Sequence, residues 1–212
     1  ASKYHVTDLN TREKDEHGTY IQRRVARDDF GTNPCSEIIL RSREFCNLSE
    51  VVVRHNDTLQ SLRSKVRIAT ILGTMQSTLT NFKYLSKEWQ RNCEEERLLG
   101  VSLTGIMDSP LTNGTKDNTK KVLNELREVA VNTNIEYADK LGINRSVSIT
   151  CVKPSGTVSQ LVDSSSGIHA RHNPYYIRTV RADNKDPLCK MMKAKGFPNE
   201  PDVTKPDHTS VF

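Results

Sequence analysis

Two stretches of the chain carry apolar residues three or four positions apart, the spacing of an amphipathic helix. The first begins behind residues 56–58, Asn-Asp-Thr, which are typical of a helix N-cap, and is predicted to reach about Phe82. The second is predicted to end before Gly142, a residue typical of helix C-termini. Their apolar faces consist of Leu59, Leu62, Val66, Ala69 and Leu72 in the first, and of Val122, Leu126, Val129, Thr133 and Tyr137 in the second.

Short runs of β-branched and leucine residues predict strands beside these helices. They cover residues 38–40, 51–53, 98–107 and 146–152. Near the C-terminus Asp186 and Pro187 open a predicted short helix that Gly196 closes. Because strands alternate with long helices, the fold class is predicted to be α/β with a largely parallel sheet. Residues 1–29 are predicted to be irregular, and the chain ends at Phe212 without a cap, so we expect truncation there.

Composition narrows the class of protein. The 212 residues are 35% hydrophobic and 27% charged, with a formal net charge of +5, and the basic residues are scattered among acidic ones. This favours a mixed solvated surface, with nucleic-acid binding as a weaker alternative. Neither a membrane-spanning run nor a secretory signal is visible, so we expect a cytoplasmic protein without membrane partners. The odd count of five cysteines argues against a disulfide scaffold and leaves room for reactive thiols.

An amide, a thiol and a carboxylate are grouped at Asn33, Cys35 and Glu37. In an extended backbone these alternate residues would project from one side, although Pro34 favours a loop over a central strand. Such a trio can place a sulfur over a substrate atom, with a carboxylate to accept a proton and an amide to orient hydroxyl groups. A buried structural cysteine is the alternative, and the C-x5-R spacing to Arg41 suggests a third, a phosphatase-like loop.

A second candidate site follows the strand predicted at 146–152. The segment Lys153-Pro154-Ser155-Gly156-Thr157-Val158-Ser159 reads as a turn that opens a helix. Unpaired amides at a helix start suit a phosphate, and Gly156 lets the backbone approach it closely. Ordinary helix capping by the serine and threonine hydroxyls is the competing interpretation. His169 and His172 have no acidic or thiol partner nearby, so no metal site is predicted.

Several motifs resemble ribonucleotide reductases of the adenosylcobalamin-dependent type, closest to the monomeric enzymes that act on ribonucleoside triphosphates. They are Asn33–Ile38, Phe45–Val51, Gly105–Leu111, the loop from Pro154 to Ser159, and Ser166–Arg178. The resemblance covers residues 30–212 and implies part, chiefly the second half, of the family's ten-stranded α/β barrel. In that fold the radical cysteine lies on a finger loop.

The resemblance also implies roles for individual residues. Cys35 corresponds to the cysteine that becomes the thiyl radical, Glu37 to the carboxylate that accepts the 3′-hydroxyl proton, and Asn33 to the amide that holds the ribose hydroxyls. Cys46 corresponds to one of two thiols that form a disulfide, with its partner outside this chain. The loop comprising Pro154, Ser155, Gly156, Thr157, Val158 and Ser159 corresponds to the site for the substrate phosphates.

The implied cofactor is adenosylcobalamin, and the implied partners are a ribonucleoside triphosphate and a thioredoxin-like or dithiol reductant. Cys93, Cys151 and Cys189 match no redox role in the family and are interpreted as structural. Two alternatives stay open: a large-subunit type that uses a metal-containing radical partner subunit, and a non-catalytic nucleotide-binding domain.

Overall fold

The computed structural model describes residues 16–18, 23–24 and 29–212, so most of the segment predicted to be irregular, 1–29, lies outside the described residues. The chain divides into two compact units, residues 1–171 and 172–212. In the first unit the elements are β1 (Phe30–Thr32), β2 (Ile39–Arg41), β3 (Asn47–Val52), α1 (Leu59–Gln76), α2 (Lys87–Glu96), β4 (Leu99–Thr104), a 3-10 turn (Ile106–Asp108), α3 (Thr119–Leu141) and α4 (Thr157–Leu161).

The core of the first unit lies between the two long helices and a parallel pair of strands. Strand β3 pairs with β4 from Asn47–Leu99 to Val52–Thr104, and helix α1 packs against both strands and against α3. Apolar side chains from all four elements meet there: Val51, Val53, Leu62, Val66, Ala69, Val101, Val122, Leu126 and Ala130. Burial of these helix faces, more than helix propensity, stabilises both helices.

Both long helices predicted from the apolar spacing are confirmed. Helix α1 starts behind Thr58, whose side chain accepts a hydrogen bond from the Ser61 amide, and α3 ends at Gly142 in a left-handed conformation. The predicted end of the first helix near Phe82 is wrong, since α1 stops at Gln76. The Ser77 hydroxyl donates to the Thr74 carbonyl and turns replace the helix beyond it.

The strand predicted at 146–152 is only partly formed. Its backbone lies beside β4, where the amides of Leu99 and Val101 donate to the carbonyls of Ser148 and Ile149. The donors are two residues apart in β4, whereas the acceptors are adjacent in this segment, so the regular parallel hydrogen-bond pattern is interrupted. A single parallel bridge remains, between Val101 and Thr150. The segment is an irregular third strand, and it leads directly into the loop at 153–159.

The second unit, residues 172–212, is built on a small antiparallel sheet. Its strands are β5 (Arg181–Asp183), β6 (Glu200–Pro201) and β7 (Thr209–Val211), in the order β5-β7-β6, with helix α5 (Pro187–Ala194) between β5 and β6. The predicted helix start at Asp186 is confirmed, since its side chain accepts a hydrogen bond from the Leu188 amide. Among the described residues, no helix is both long and apolar enough to cross a membrane.

Candidate active site

The segment that carries Asn33, Cys35 and Glu37 is the tip of a hairpin. Strands β1 and β2 pair antiparallel up to Thr32 and Ile39, and residues 33–38 form the connection. The Ser36 amide donates to the Asn33 carbonyl at 2.9 Å, and Ser36 has a φ of 62°. The expectation of an extended backbone with three side chains on one face is therefore wrong, because the chain turns within the motif. The preference for a loop that Pro34 indicated is confirmed.

The three candidate side chains have different surroundings at the hairpin tip. The Asn33 side-chain oxygen accepts a hydrogen bond from the Ile38 amide at 3.0 Å, so this amide group shapes the loop itself. Cys35 is exposed at the tip. Glu37 is half-buried, and its Oε2 atom is buried without a hydrogen-bond partner among the described residues. Cys35 is thus accessible to a reactant, whereas Glu37 faces inward.

Glu37 and Cys46 share one electrostatic environment. Burial raises the pKa of the Cys46 thiol to about 11, and the Glu37 carboxylate is the next largest cause. Burial and then Glu37 likewise raise the pKa of Cys151 to about 12, with Cys46 as a further contributor. A nearby negative charge disfavours a thiolate, so the two thiols are held protonated beside a carboxylate. The structure thereby brings together Glu37, Cys46 and a residue that the sequence did not single out, Cys151.

These groups lie on the face of the parallel strands that points away from helix α1. Side chains alternate along a strand, so Leu48 and Glu50 of β3 lie opposite Val51, which packs into the helix core. A Cβ atom at Gly100 would collide with a methyl group of Leu48 and lie 3.1 Å from the Cys151 sulfur. Cys46, directly before β3, packs beside the same cluster. We call this the inner face.

The loop at 153–159 reaches the inner face through Ser155. Ser155 is 5% exposed, and its hydroxyl donates to Oε2 of Glu50 at 2.9 Å. Gly156 has φ 57° and ψ −128°, a combination that side-chain-bearing residues rarely adopt, so the turn requires glycine. A Cβ at Gly156 would have no neighbour within 4 Å, so this part of the backbone is open to an incoming group.

The serine hydroxyls of this loop are used within the protein. Besides Ser155, the buried Ser159 hydroxyl donates to the Gly156 carbonyl at 2.6 Å. Pro154, Thr157 and Val158 are exposed. The first amides of helix α4, the Thr157 hydroxyl and the partly exposed Lys153 side chain are therefore available to contact a ligand. The Ser155 and Ser159 hydroxyls thus both shape the loop.

A network of ion pairs holds the segment after this loop. Arg171 donates to Asp108 at 3.2 Å and to Asp163 at 2.9 Å, and the Ser165 amide donates to Asp108 at 2.8 Å. Burial would raise the pKa of Asp108, but the hydrogen bonds from Ser165 and Arg171 outweigh it and lower that pKa. Residues 163–171 are in this way fixed to the turn that follows β4.

Helix α2, which the sequence analysis missed, supports the connection between the hairpin and Cys46. The sequence of this helix is polar except for Trp89 and Cys93, which lie on one face. The Arg41 guanidinium donates to Glu95 at 3.1 Å, and the Phe45 amide donates to the Cys93 sulfur at 3.3 Å. The rings of Phe45 and Trp89 stack with centroids 4.6 Å apart. The i, i+4 pair Trp89 and Cys93 was the available signal for this helix.

Buried charges reinforce this connection. Arg24 donates to Glu96 at 2.9 Å and lies 4.0 Å from Glu44, and all three side chains are buried. Burial, together with the neighbouring carboxylate of Glu96, raises the pKa of Glu44 to about 8, although the Arg41 amide and Arg24 oppose this. A buried cluster of this kind is costly to disrupt because each removal leaves another charge unpaired.

Several curated proteins are similar to this chain in sequence, although no protein-family model matches it. Three curated relatives are each named adenosylcobalamin-dependent ribonucleoside-triphosphate reductase. The protein from Lactobacillus delbrueckii subsp. bulgaricus is 30% identical over 211 residues, with 87% of this chain and 28% of the relative covered. The protein from Levilactobacillus brevis is 31% identical, with 82% of this chain and 26% of the relative covered. The protein from Euglena gracilis is 29% identical, with 86% of this chain and 24% of the relative covered.

A solved structure agrees with these relatives. The crystal structure of a B12-dependent (class II) ribonucleotide reductase matches with a TM-score of 0.71 and 26% identity, covering 92% of this chain and 30% of that one. The predicted fold, α/β and part of the reductase barrel, is therefore confirmed. The chain spans about 28% of the length of the first relatives it matches. It is homologous to one segment of the adenosylcobalamin-dependent, class II ribonucleotide reductases.

Proposed function

We propose that the protein to which this chain belongs reduces ribonucleoside triphosphates to 2′-deoxyribonucleotides by thiyl-radical chemistry. The observation that carries the proposal is the inner face, where Glu37 acts on the Cys46 thiol and Glu50 holds Ser155 of the 153–159 loop. A nucleotide with its ribose near Glu37 and Cys46 could direct its phosphates toward that loop. The names of the relatives support the same reaction and the triphosphate substrate.

In this proposal Cys35 begins the reaction. As a thiyl radical its sulfur removes the 3′-hydrogen atom of the ribose, and Glu37 accepts the proton of the 3′-hydroxyl group. Glu37 suits this role because its buried Oε2 has no hydrogen-bond partner among the described residues and could accept one from a ribose hydroxyl. Asn33 shapes the hairpin that presents Cys35 and is proposed to orient the ribose hydroxyls with its remaining amide hydrogens.

Cys46 is proposed to supply reducing equivalents with a second thiol that lies outside this chain. The 2′-hydroxyl group leaves as water, and the two thiols supply the two hydrogens that complete the water and the new bond at the 2′-carbon as they become one disulfide. Glu37 returns its proton to the 3′-oxygen, and the hydrogen atom returns from Cys35 to the 3′-carbon. The raised pKa of Cys46 keeps its proton on sulfur until the substrate accepts hydrogen. A thioredoxin-like or dithiol reductant would then restore the thiols, in a protein that we propose to be cytoplasmic.

Adenosylcobalamin is the proposed cofactor, as the names of the relatives indicate. When bound, it supplies a carbon-centred radical that accepts a hydrogen atom from a cysteine thiol. The exposure of Cys35 at the hairpin tip fits this group, because a bulky cofactor could reach the sulfur there. The sequence identifies no residue that ligates cobalt.

The 153–159 loop is proposed to bind the substrate phosphates. The first amides of helix α4 offer hydrogen-bond donors to an anion, and the open space beside Gly156 lets it approach. The exposed Thr157 hydroxyl adds another donor. A non-catalytic nucleotide-binding protein would use the same loop, so reductase activity is the decisive measurement.

The experiment is a chimaera in which this chain replaces the matching segment of the Lactobacillus delbrueckii reductase. With adenosylcobalamin and dithiothreitol, deoxynucleotide formation from a ribonucleoside triphosphate is measured by chromatography. We expect activity that Cys35→Ser abolishes, by at least about a thousandfold, while triphosphate binding persists. Cys189→Ser, in the second unit, is the matched control and should retain activity. Product formation by the Cys35→Ser chimaera would refute the proposal, and binding without reduction by the parent chimaera would favour the non-catalytic alternative.

A further inference from the structure

Glu50 joins two parts of the proposed site that are far apart in sequence. Its Oε2 atom accepts the hydrogen bond of the Ser155 hydroxyl at 2.9 Å, across 105 positions of the chain. Glu50 lies on strand β3, four residues after Cys46 and on the same face. The bond therefore links the strand that follows the redox thiol directly to the loop proposed to bind phosphates.

The carboxylate of Glu50 is incompletely satisfied. Its Oε1 atom is buried and has no hydrogen-bond partner among the described residues. Burying a carboxylate oxygen without a hydrogen-bond partner is unfavourable, so this position is poorly suited to stabilising the fold. Buried polar atoms without a hydrogen-bond partner are expected mainly at functional sites, where a residue is retained for a role other than stability.

The loop is held from its other side as well. The Gly156 amide donates to the Ser166 hydroxyl at 3.2 Å, and the Ser164 amide donates to the Ser159 carbonyl at 2.9 Å. These contacts tie the loop to residues 164–166, and the Glu50 bond ties it to β3. A loop fastened at both sides presents its open amides in one arrangement.

We propose that Glu50 is a positioning residue that fixes the 153–159 loop, through Ser155, to the strand that begins beside Cys46. The phosphate end and the ribose end of a bound nucleotide then share one rigid frame. This inference rests on the proposed function for its meaning, but the Glu50–Ser155 link can be tested separately.

Hydrogen–deuterium exchange of the full chain, read by mass spectrometry of its peptides, tests the link. Glu50→Leu and Ser155→Ala should each accelerate exchange in residues 153–161 about tenfold or more, as expected for a lost charge-assisted hydrogen bond. The double variant should be no faster than the faster single variant, because both remove the same bond. Glu50→Gln retains an acceptor without the charge and should have a smaller effect.

The control is Glu125→Gln, which removes a half-buried carboxylate paired with Arg63 elsewhere in the unit. It should leave exchange in 153–161 unchanged. The inference is overturned if Glu50→Leu leaves the loop unaffected, if it accelerates the α3 peptides equally, or if the effects of the two single variants multiply. Inorganic tripolyphosphate serves as the phosphate probe and should protect 153–161 in the parent chain, about tenfold more weakly in Glu50→Leu. No protection in the parent would contradict the phosphate-binding role of the loop. The comparison of the two single variants with the double variant tests the Glu50–Ser155 hydrogen bond independently of that role.

Discussion

The reactivity of Cys46 is the sharpest test of the candidate site. Its pKa is raised from 9.0 to about 11, so at pH 8 only about 0.1% of the group is thiolate, compared with about 9% for a thiol of pKa 9.0. Since the thiolate is the nucleophile, we expect Cys46 to react with iodoacetamide about a hundredfold more slowly than such a thiol. Its rate should rise tenfold per pH unit without a plateau up to about pH 10.

Glu37 supplies part of this effect, and burial is a larger cause of the raised Cys46 pKa than the Glu37 carboxylate. Removing that charge should lower the pKa of Cys46, so we expect Glu37→Gln to accelerate Cys46 alkylation about threefold at pH 8. Glu125→Gln, which removes a carboxylate from α3, should leave the rate unchanged.

The assay is timed alkylation between pH 7 and 10.5, followed by peptide mapping that resolves each cysteine. Cys35 is exposed and should be modified first, and Cys151, with a pKa of about 12, should react more slowly than Cys46. A plateau in the Cys46 alkylation rate near pH 9 would show that burial and Glu37 do not raise the pKa of this thiol. An unchanged rate in Glu37→Gln would show that the carboxylate does not act on this thiol.

Three further predictions concern stability. The raised pKa of Glu44 means that this carboxyl group binds a proton more tightly in the folded chain than in the unfolded chain. The free energy of unfolding should therefore fall as pH rises from about 5 to 8, by at most about 1.4 kcal/mol per pH unit. Glu44→Gln should flatten that slope in urea titrations, and an unchanged slope would contradict the assignment. Leu62→Ala, at a fully buried position, should cost about 2–5 kcal/mol in the same assay, whereas Leu79→Ala, at a 74% exposed position, should cost under about 0.5 kcal/mol. Asp108→Asn should make residues 163–171 more sensitive to limited proteolysis, and equal cleavage rates would remove the ion-pair network from this description.

Local patterns were sufficient for the two long helices, whose predicted apolar faces are mostly buried, although Leu72 of α1 is 60% exposed. Thr58 and Gly142 bound the two long helices as predicted, because capping depends on residues within one turn. The same reasoning failed at residue 77, where side-chain hydroxyls compete for the helix carbonyls. It also failed for residues 87–96, whose helix presents few apolar residues and is stabilised by polar contacts to the segment around Arg41.

The sequence by itself determined the fold class, the two long helices and, through its motifs, the family and the candidates Cys35, Glu37 and Cys46. Only the tertiary structure decided how these residues are arranged. It turned the chain at 33–38, so that Cys35 is exposed while Glu37 faces inward, and it placed Ser155 against Glu50. The physical reason is that a motif records the order of chemical groups along the chain, whereas their distances and protonation depend on burial and on partners distant in sequence.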